Sequence, residues 1–194
     1  MKRIVSIVLL FGVVALGMGC ASRPAKFYTL SPTAEPGAAT ENLSVAVGPV
    51  YLPPVVDRPQ MVSVTGSEVK IDEYNRWASP LQSEMARVVA ENLARSLGAQ
   101  MVTVYPQSNS AGAMYRVMID VMRFDSNPGK NVSLDCVWTV RGAKEKGARS
   151  GRTTVSEAVS DGSVPAVVAA QSRAMGRLSG EVARAIRGLE SGGK

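Results

Sequence analysis

Residues 79–98, SPLQSEMARVVAENLARSLG, carry the clearest helix signal in the chain. Ser79 fits an N-cap with Pro80 at the first helical position, and Gln82 follows three residues after the cap as in a capping box. Apolar residues then recur at three- and four-residue spacing, which places them on one helical face: Leu81, Met85, Val88, Val89 and Leu93. Gly98 is a natural C-terminal stop. The stretch therefore predicts an amphipathic helix.

Strand patterns flank this helix on both sides. The predicted strands lie at residues 44–51, 60–65, 67–71, 100–105, 115–122, 132–140 and 152–159. Ser163 and Pro165 open a second predicted helix, which carries apolar residues on one side as far as Leu189. The order of strands, helix, strands and helix implies an α+β fold, a mostly antiparallel sheet with two helices packed on one face.

The first twenty residues are organised like a bacterial lipoprotein signal peptide. A short basic start precedes an apolar run, Ile4 to Leu16, that is too short to span a bilayer. The small residue Gly19 directly before Cys20 resembles a lipobox, although Gly17 stands where leucine is usual. We therefore expect cleavage after residue 19 and acylation of Cys20. The alternatives are ordinary secretory cleavage, with an incidental thiol, or a retained anchor helix.

These signals divide the chain into four parts. Residues 1–19 form the signal peptide, and residues 20–42 contain the lipidated Cys20 and a tether with a first strand suggested near its start. Residues 43–190 form a single α+β domain, and residues 191–194 form a flexible tail. Because an aspartate after the cysteine would favour retention in the inner membrane, Ala21 favours the periplasmic face of the outer membrane.

Composition argues against several classes of function. The 194 residues include no histidine, which removes the commonest general base and the commonest metal ligand. Only Cys20 and Cys136 are cysteines, so neither a zinc cluster nor a disulfide framework is expected. The net charge of +6 comes from scattered basic residues, and aromatic residues make up only 5% of the chain, which disfavours nucleic-acid binding. We predict no catalytic residues, no metal and no cofactor.

Three motifs occur in order along the chain: FYTL at 27–30, VGPVYLPP at 47–54 with DRPQ at 57–60, and WASPL at 77–81. Together they resemble the ABC-type transport auxiliary lipoprotein family, the PqiC (YmbA) group. The resemblance implies a lipoprotein that works with an MCE-type transport protein and membrane subunits to move lipids between the inner and outer membranes. It further implies a role in envelope integrity and no catalysis of its own, since the ATPase and permease are separate chains.

Two groups of residues are candidates for contacting a partner. Prolines stiffen the loop that contains Asp57, Arg58 and Gln60, so presenting these side chains would cost little ordering entropy. The alternative is a structural crossover in which Asp57 and Arg58 satisfy backbone groups or each other. Tyr74 and Trp77 suit a protein interface or a lipid headgroup layer. The alternative for Trp77 is packing beneath the first turn of the helix.

Two questions of assembly stay open at this level. The chain either docks on transporter components as an anchored subunit or acts by itself as a periplasmic lipid- or ligand-binding module. An apolar cavity would be needed for the second role, and sequence cannot reveal one. A homo-oligomer, such as a ring of identical subunits, is compatible with either role.

Overall fold

Eight strands and two helices build the chain over residues 23–143 and 147–192, the part that the computed structural model describes. In chain order they are β1 Lys26–Tyr28, β2 Thr40–Tyr51, β3 Gln60–Thr65, β4 Glu68–Trp77, α1 Leu81–Leu97, β5 Ala99–Val104, β6 Tyr115–Asn127, β7 Asn131–Gly142, β8 Ala148–Ala158 and α2 Val164–Gly192. A short 3-10 turn, Ser108–Ser110, lies between β5 and β6.

The strands form two mixed sheets. The large sheet has the order β5-β2-β6-β7-β8, in which β2 is parallel to β5 and β6 while β6, β7 and β8 form an antiparallel meander. The small sheet has the order β1-β4-β3, with β1 parallel to β4 and β3 antiparallel to it. The α+β class is confirmed; the strands divide between two sheets, and both are mixed rather than purely antiparallel. Long connections, one of them through α1, return the chain beside β2 in the same direction, which a tight turn cannot do.

Both helices pack on one face of the large sheet and against each other. Alternation along the central strands points one set of side chains into this layer: Tyr115, Val117, Ile119 and Val121 from β6, and Val132, Leu134, Cys136, Trp138 and Val140 from β7. The apolar stripe predicted for α1 meets them, and α2 adds Val167, Met175, Leu178, Val182 and Ile186. The core is therefore the layer between the large sheet and the helix pair.

The two ends of α1 are capped in different ways. Gly98 adopts the left-handed conformation with φ 58°, and its N–H donates to the Arg95 carbonyl, so the predicted stop is confirmed. The predicted capping box is wrong, because the cap residue is Pro80 and no capping side chain accepts a backbone N–H of the first turn. The Ser79 hydroxyl donates instead to Glu84 Oε1 at 2.5 Å, since a buried carboxylate is the stronger acceptor.

A strap of chain, residues 29–39, runs along the helix pair between β1 and β2. The Leu30 N–H donates to Glu84 Oε2 at 3.0 Å, and the Ser31 N–H donates to Ser172 Oγ at 3.1 Å. Asn92 Oδ1 accepts the next two backbone N–H groups of the strap, from Thr33 and Ala34, at 2.8 and 2.9 Å. The strap is therefore fixed at several points to side chains that belong to both helices.

This arrangement differs from the predicted tether and tail. The tether was expected to extend to residue 42, but from Lys26 onward the chain is strand or strap, and β2 already begins at Thr40. At the other terminus α2 continues to Gly192, through half of the stretch expected to be flexible. In the strap, the physical reason is that backbone N–H groups find acceptors on side chains of both helices.

Candidate functional site

A pocket of about 330 Å³ opens where the loop after β2 meets the start of α1. Its walls are Asp57, Arg58, Pro59, Trp77, Ala78, Ser79, Pro80 and Leu81. Three of the five residues that the sequence marked as partner contacts, Asp57, Arg58 and Trp77, thus surround one opening. The pocket combines apolar walls with one acidic and one basic side chain.

The loop that carries Asp57 is held at both ends by backbone hydrogen bonds. The Pro53 carbonyl accepts the N–H groups of Val56 at 3.0 Å and of Asp57 at 3.2 Å. Val56 is buried in the core, and the Pro59 carbonyl accepts the Trp77 N–H at 2.8 Å. The first two bonds close a turn within the loop, and the third joins the loop to β4. The rim of the pocket is therefore built on a fixed backbone.

Arg58 is half-buried and keeps an unused hydrogen-bond donor. Its Nε is buried without a hydrogen-bond partner, and among the ion pairs of the described residues none joins it to Asp57, which is exposed. The two side chains therefore do not satisfy each other. A buried N–H without an acceptor costs about 1–3 kcal/mol.

Trp77 lies in the core and forms only a wall of the pocket. Its side chain is 5% exposed and packs within the same cluster as Leu81 in the first turn of α1. Its neighbour Ala78 donates its N–H to the Tyr28 carbonyl at 2.8 Å, which fixes the end of β4 beside β1. Trp77 therefore packs beneath the first turn of α1, the alternative raised from the sequence, and does not protrude as an interface anchor.

Gln60 and Tyr74 lie apart from the pocket, on the small sheet. Gln60 pairs with Arg76 in the register of β3 and β4, and its Nε2 donates to Glu73 Oε2 at 3.2 Å. Tyr74 is exposed, and the Arg23 guanidinium lies 5.5 Å from the centre of its ring. The structure therefore separates the predicted contact residues into two surfaces.

A buried carboxylate at the start of α1 was not predicted from the sequence. Glu84 Oε2 accepts from Thr29 Oγ1 at 2.6 Å, from the Leu30 N–H at 3.0 Å and from Arg87 Nη2 at 2.7 Å. Burial by itself would raise the pKa of Glu84, but the hydrogen bonds from Arg87, Ser79, Thr29 and Leu30 lower that pKa to about 2. Glu84 is therefore ionised at neutral pH and fixes the start of the strap.

The sequence did contain a signal for these strap-binding residues. Glu84 follows Leu81 by three positions and Asn92 follows Val88 by four, so both polar residues lie on the apolar stripe of α1. Both are buried. A polar side chain on a buried stripe requires a partner, and the strap supplies it.

The described part of the chain contains few other groups that could form a functional site. No group of three His, Cys, Asp or Glu there can hold a metal ion, and no helix there is long and apolar enough to cross a membrane. Cys136 is fully buried, and burial raises the pKa of its thiol to about 12. The predicted lipidation site, Cys20, lies outside the described residues.

Comparison with solved structures supports the fold. A DUF330-family protein from Xanthomonas campestris is 18% identical, with a TM-score of 0.69, and the match covers 87% of this chain and all of that one. A second structure, of an uncharacterized protein, is also 18% identical with a TM-score of 0.69, and the match covers 84% of this chain and 99% of the other. None of the curated proteins compared with the chain matches it.

Comparison of the sequence with family models identifies the family. A family model described as ABC-type transport auxiliary lipoprotein component matches residues 28–183, which include the strap, the pocket, α1 and most of α2. The match covers most of the chain and confirms the resemblance drawn from the three motifs. The chain belongs to the family of ABC-type transport auxiliary lipoprotein components.

Proposed function

We propose that the chain is a non-catalytic lipoprotein subunit of an MCE-type ABC transport system that moves lipids between the inner and outer membranes and thereby supports envelope integrity. The lipid on Cys20 holds it at the periplasmic face of the outer membrane. The observation that carries this proposal is the family match, which begins at residue 28, shortly after a cysteine that ends a signal-peptide-like segment.

The folded domain is well suited to a position next to a membrane. Lys26 begins β1 only six residues after Cys20, and an extended chain advances at most about 3.5 Å per residue. The lipid and the fold are therefore separated by at most about 20 Å. A domain on such a short connection cannot reach across the periplasm, so the other components of the system must come to it.

In this proposal the pocket beside Arg58 receives a segment of the MCE-type protein or of a membrane subunit. A fixed backbone rim, the half-buried guanidinium of Arg58 and apolar walls favour a short segment that combines an acceptor group with an apolar side chain. Asp57, exposed on the same rim, adds selectivity for a basic neighbour in that segment.

The anchor is tested by mass spectrometry of the N-terminal peptide together with membrane fractionation. We expect an acylated Cys20 at the mature N-terminus, in the outer membrane fraction, and release of the Cys20→Ala variant from membranes. Cys136→Ala is the matched control, because it removes the other cysteine and should leave the protein in the membrane. An unmodified terminus on a protein that stays soluble would contradict the proposal.

The partner site is tested by co-purification with the MCE-type protein of the same system. The double change Asp57→Asn, Arg58→Ala should reduce recovery several-fold, whereas Arg184→Ala, on the exposed side of α2, should not. Equal recovery of all variants would count against the pocket.

The competing role, a lipid-binding module acting by itself, is separated by lipid extraction. At about 330 Å³ the pocket lies at the small end of ligand sites, so we expect no stoichiometric phospholipid. Co-purification of near one phospholipid per chain would favour the competing role.

A further inference from the structure

One face of the small sheet is apolar and open to solvent. Phe27 is 64% exposed and Tyr74 is 45% exposed, and Val69 and Ile71 of the β3–β4 hairpin are exposed as well. These four are large apolar side chains, and they lie within one three-stranded sheet. We call this surface, defined by Phe27, Tyr74, Val69 and Ile71, the outer face.

Strand register places Val69 with Ile71 on the hairpin and Phe27 beside Arg76 at the other end of β4. Phe27 on β1 pairs with Arg76 on β4, and Arg76 pairs with Gln60 on β3. Further along the hairpin, Val62 pairs with Ile71 and Val64 pairs with Val69. Val69 and Ile71 therefore lie on one side of the hairpin with their partners, and Phe27 and Arg76 lie on one side of the β1–β4 pair. The register of β3 and β4 shifts between Gln60 and Met61, so an irregular stretch of β4 separates the two regions.

The other side of the small sheet is the one that covers the core. Tyr28 pairs with Trp77 one position beyond the Phe27–Arg76 pair, so these two rings point the opposite way from Phe27. Trp77 and Met61 are buried. The small sheet thus has one side that packs on the core, whereas Phe27, Val69, Ile71 and Tyr74 are exposed.

Chain length ties the outer face to the site of lipid attachment. Arg23 comes three residues after Cys20, a span of at most about 11 Å. Its guanidinium lies 5.5 Å from the centre of the Tyr74 ring. A polar headgroup layer is about 5–7 Å thick on each side of a bilayer. With its lipid inserted, Cys20 therefore keeps Tyr74 close to that layer.

We propose that the outer face lies on the phospholipid leaflet that holds the lipid of Cys20, with Phe27 and Tyr74 in the headgroup layer. This inference rests on the lipid anchor of the proposed function. Aromatic rings favour this layer because their apolar body and polar edge suit its two environments. Arg23, which is exposed and lies against the Tyr74 ring, is close enough to meet a lipid phosphate.

The charges on the outer face are compatible with this position. Glu73, an acidic residue on the small sheet, is bound by Arg76 at 3.5 Å and by Gln60 at 3.2 Å. Its charge is thereby partly compensated before it approaches lipid phosphates. The pocket beside Trp77 belongs to the other side of β4, so a domain lying on its outer face leaves that pocket accessible to a partner.

The test uses the full lipidated chain in vesicles of phosphatidylethanolamine and phosphatidylglycerol. Single variants Phe27→Cys, Ile71→Cys and Met101→Cys each receive a nitroxide label, and collisions with oxygen and with a water-soluble nickel complex are measured. Cys136 does not interfere, because it is fully buried. Met101 is the matched control: it is 59% exposed and lies beyond the other end of α1, a helix of 17 residues and about 25 Å.

We expect labels at positions 27 and 71 to lose accessibility to the nickel complex several-fold relative to position 101, and to gain accessibility to oxygen. Equal accessibility at all three positions, in protein that floats with the vesicles, would overturn the membrane-facing sheet and leave the anchor standing. Protein that does not float at all would overturn the anchor and this inference together.

Discussion

The buried carboxylate of Glu84 gives the sharpest test of how the strap is held. The pKa of Glu84 falls from 4.5 to about 2 in the folded protein. Each pH unit of such a difference corresponds to about 1.4 kcal/mol, so the ionised carboxylate stabilises the folded state by about 3 kcal/mol at neutral pH. Replacing it by glutamine removes the charge and turns one acceptor oxygen into a donor facing Arg87, Ser79 and the strap. We expect Glu84→Gln to lower the free energy of unfolding by about 2–4 kcal/mol at pH 7.

The pH dependence follows from the direction of the shift. A carboxyl with a lowered folded pKa contributes its stability fully above the unfolded value of 4.5 and loses it as the pH falls toward 2. The wild-type protein should therefore lose part of its stability between about pH 5 and pH 2, and the glutamine variant should lose less. Urea unfolding of the full chain over this range measures both, and the difference between the two proteins should shrink as the solution is acidified.

Glu91→Gln is the matched control on the same helix. Glu91 Oε1 accepts from the same guanidinium, Arg87 Nη1, at 2.7 Å, but its side chain is 42% exposed. An exposed pair of this kind contributes about 0–1 kcal/mol, so Glu91→Gln should lower the free energy of unfolding at pH 7 by no more than that. A loss below about 0.5 kcal/mol in Glu84→Gln, or a difference from wild type that stays constant with pH, would refute the reasoning.

Three further predictions concern the strap and the core. Asn92→Ala removes the acceptor of two strap N–H groups and should cost about 1–3 kcal/mol, with faster limited proteolysis of the strap; unchanged cleavage would contradict this. Gly151→Ala would place a methyl group against the ring of Trp138 and should destabilise the protein by about 1–3 kcal/mol in thermal unfolding. Cys136 should resist thiol reagents at about pH 8 until denaturant is added, because its pKa is raised to about 12 by burial; rapid labelling of the folded protein would argue against the buried position.

Periodicity in the sequence was enough for most of the secondary structure. The three- and four-residue spacing before Gly98 identified α1, and the two-residue alternation around Trp138 identified β7. These patterns are local, because a helix or strand with one buried face must repeat its apolar residues at the period of its own backbone. Strand direction is not local in this sense, so parallel pairing of β2 with β5 and β6 could not be inferred from the same alternation.

The candidate site was predictable only in part. Prolines indicated a stiff loop around Asp57 and Arg58, and the structure places both at one pocket with Trp77. Whether Trp77 protrudes or packs depends on which side of β4 meets the core, and that depends on the pairing with Tyr28 of β1. Tyr74, three residues earlier on the same strand, is exposed instead.

The sequence by itself determined the elements, the α+β class, the family and the expectation of a lipid anchor, because each of these follows from residue patterns within short segments. Only the tertiary structure decided what those segments do together. It turned a stretch rich in proline and small residues into a strap bound by Glu84 and Asn92, and it divided the predicted contact residues between a pocket and the small sheet. The physical reason is that partners for buried polar groups, and the side of a strand that stays exposed, are set by residues distant in the chain.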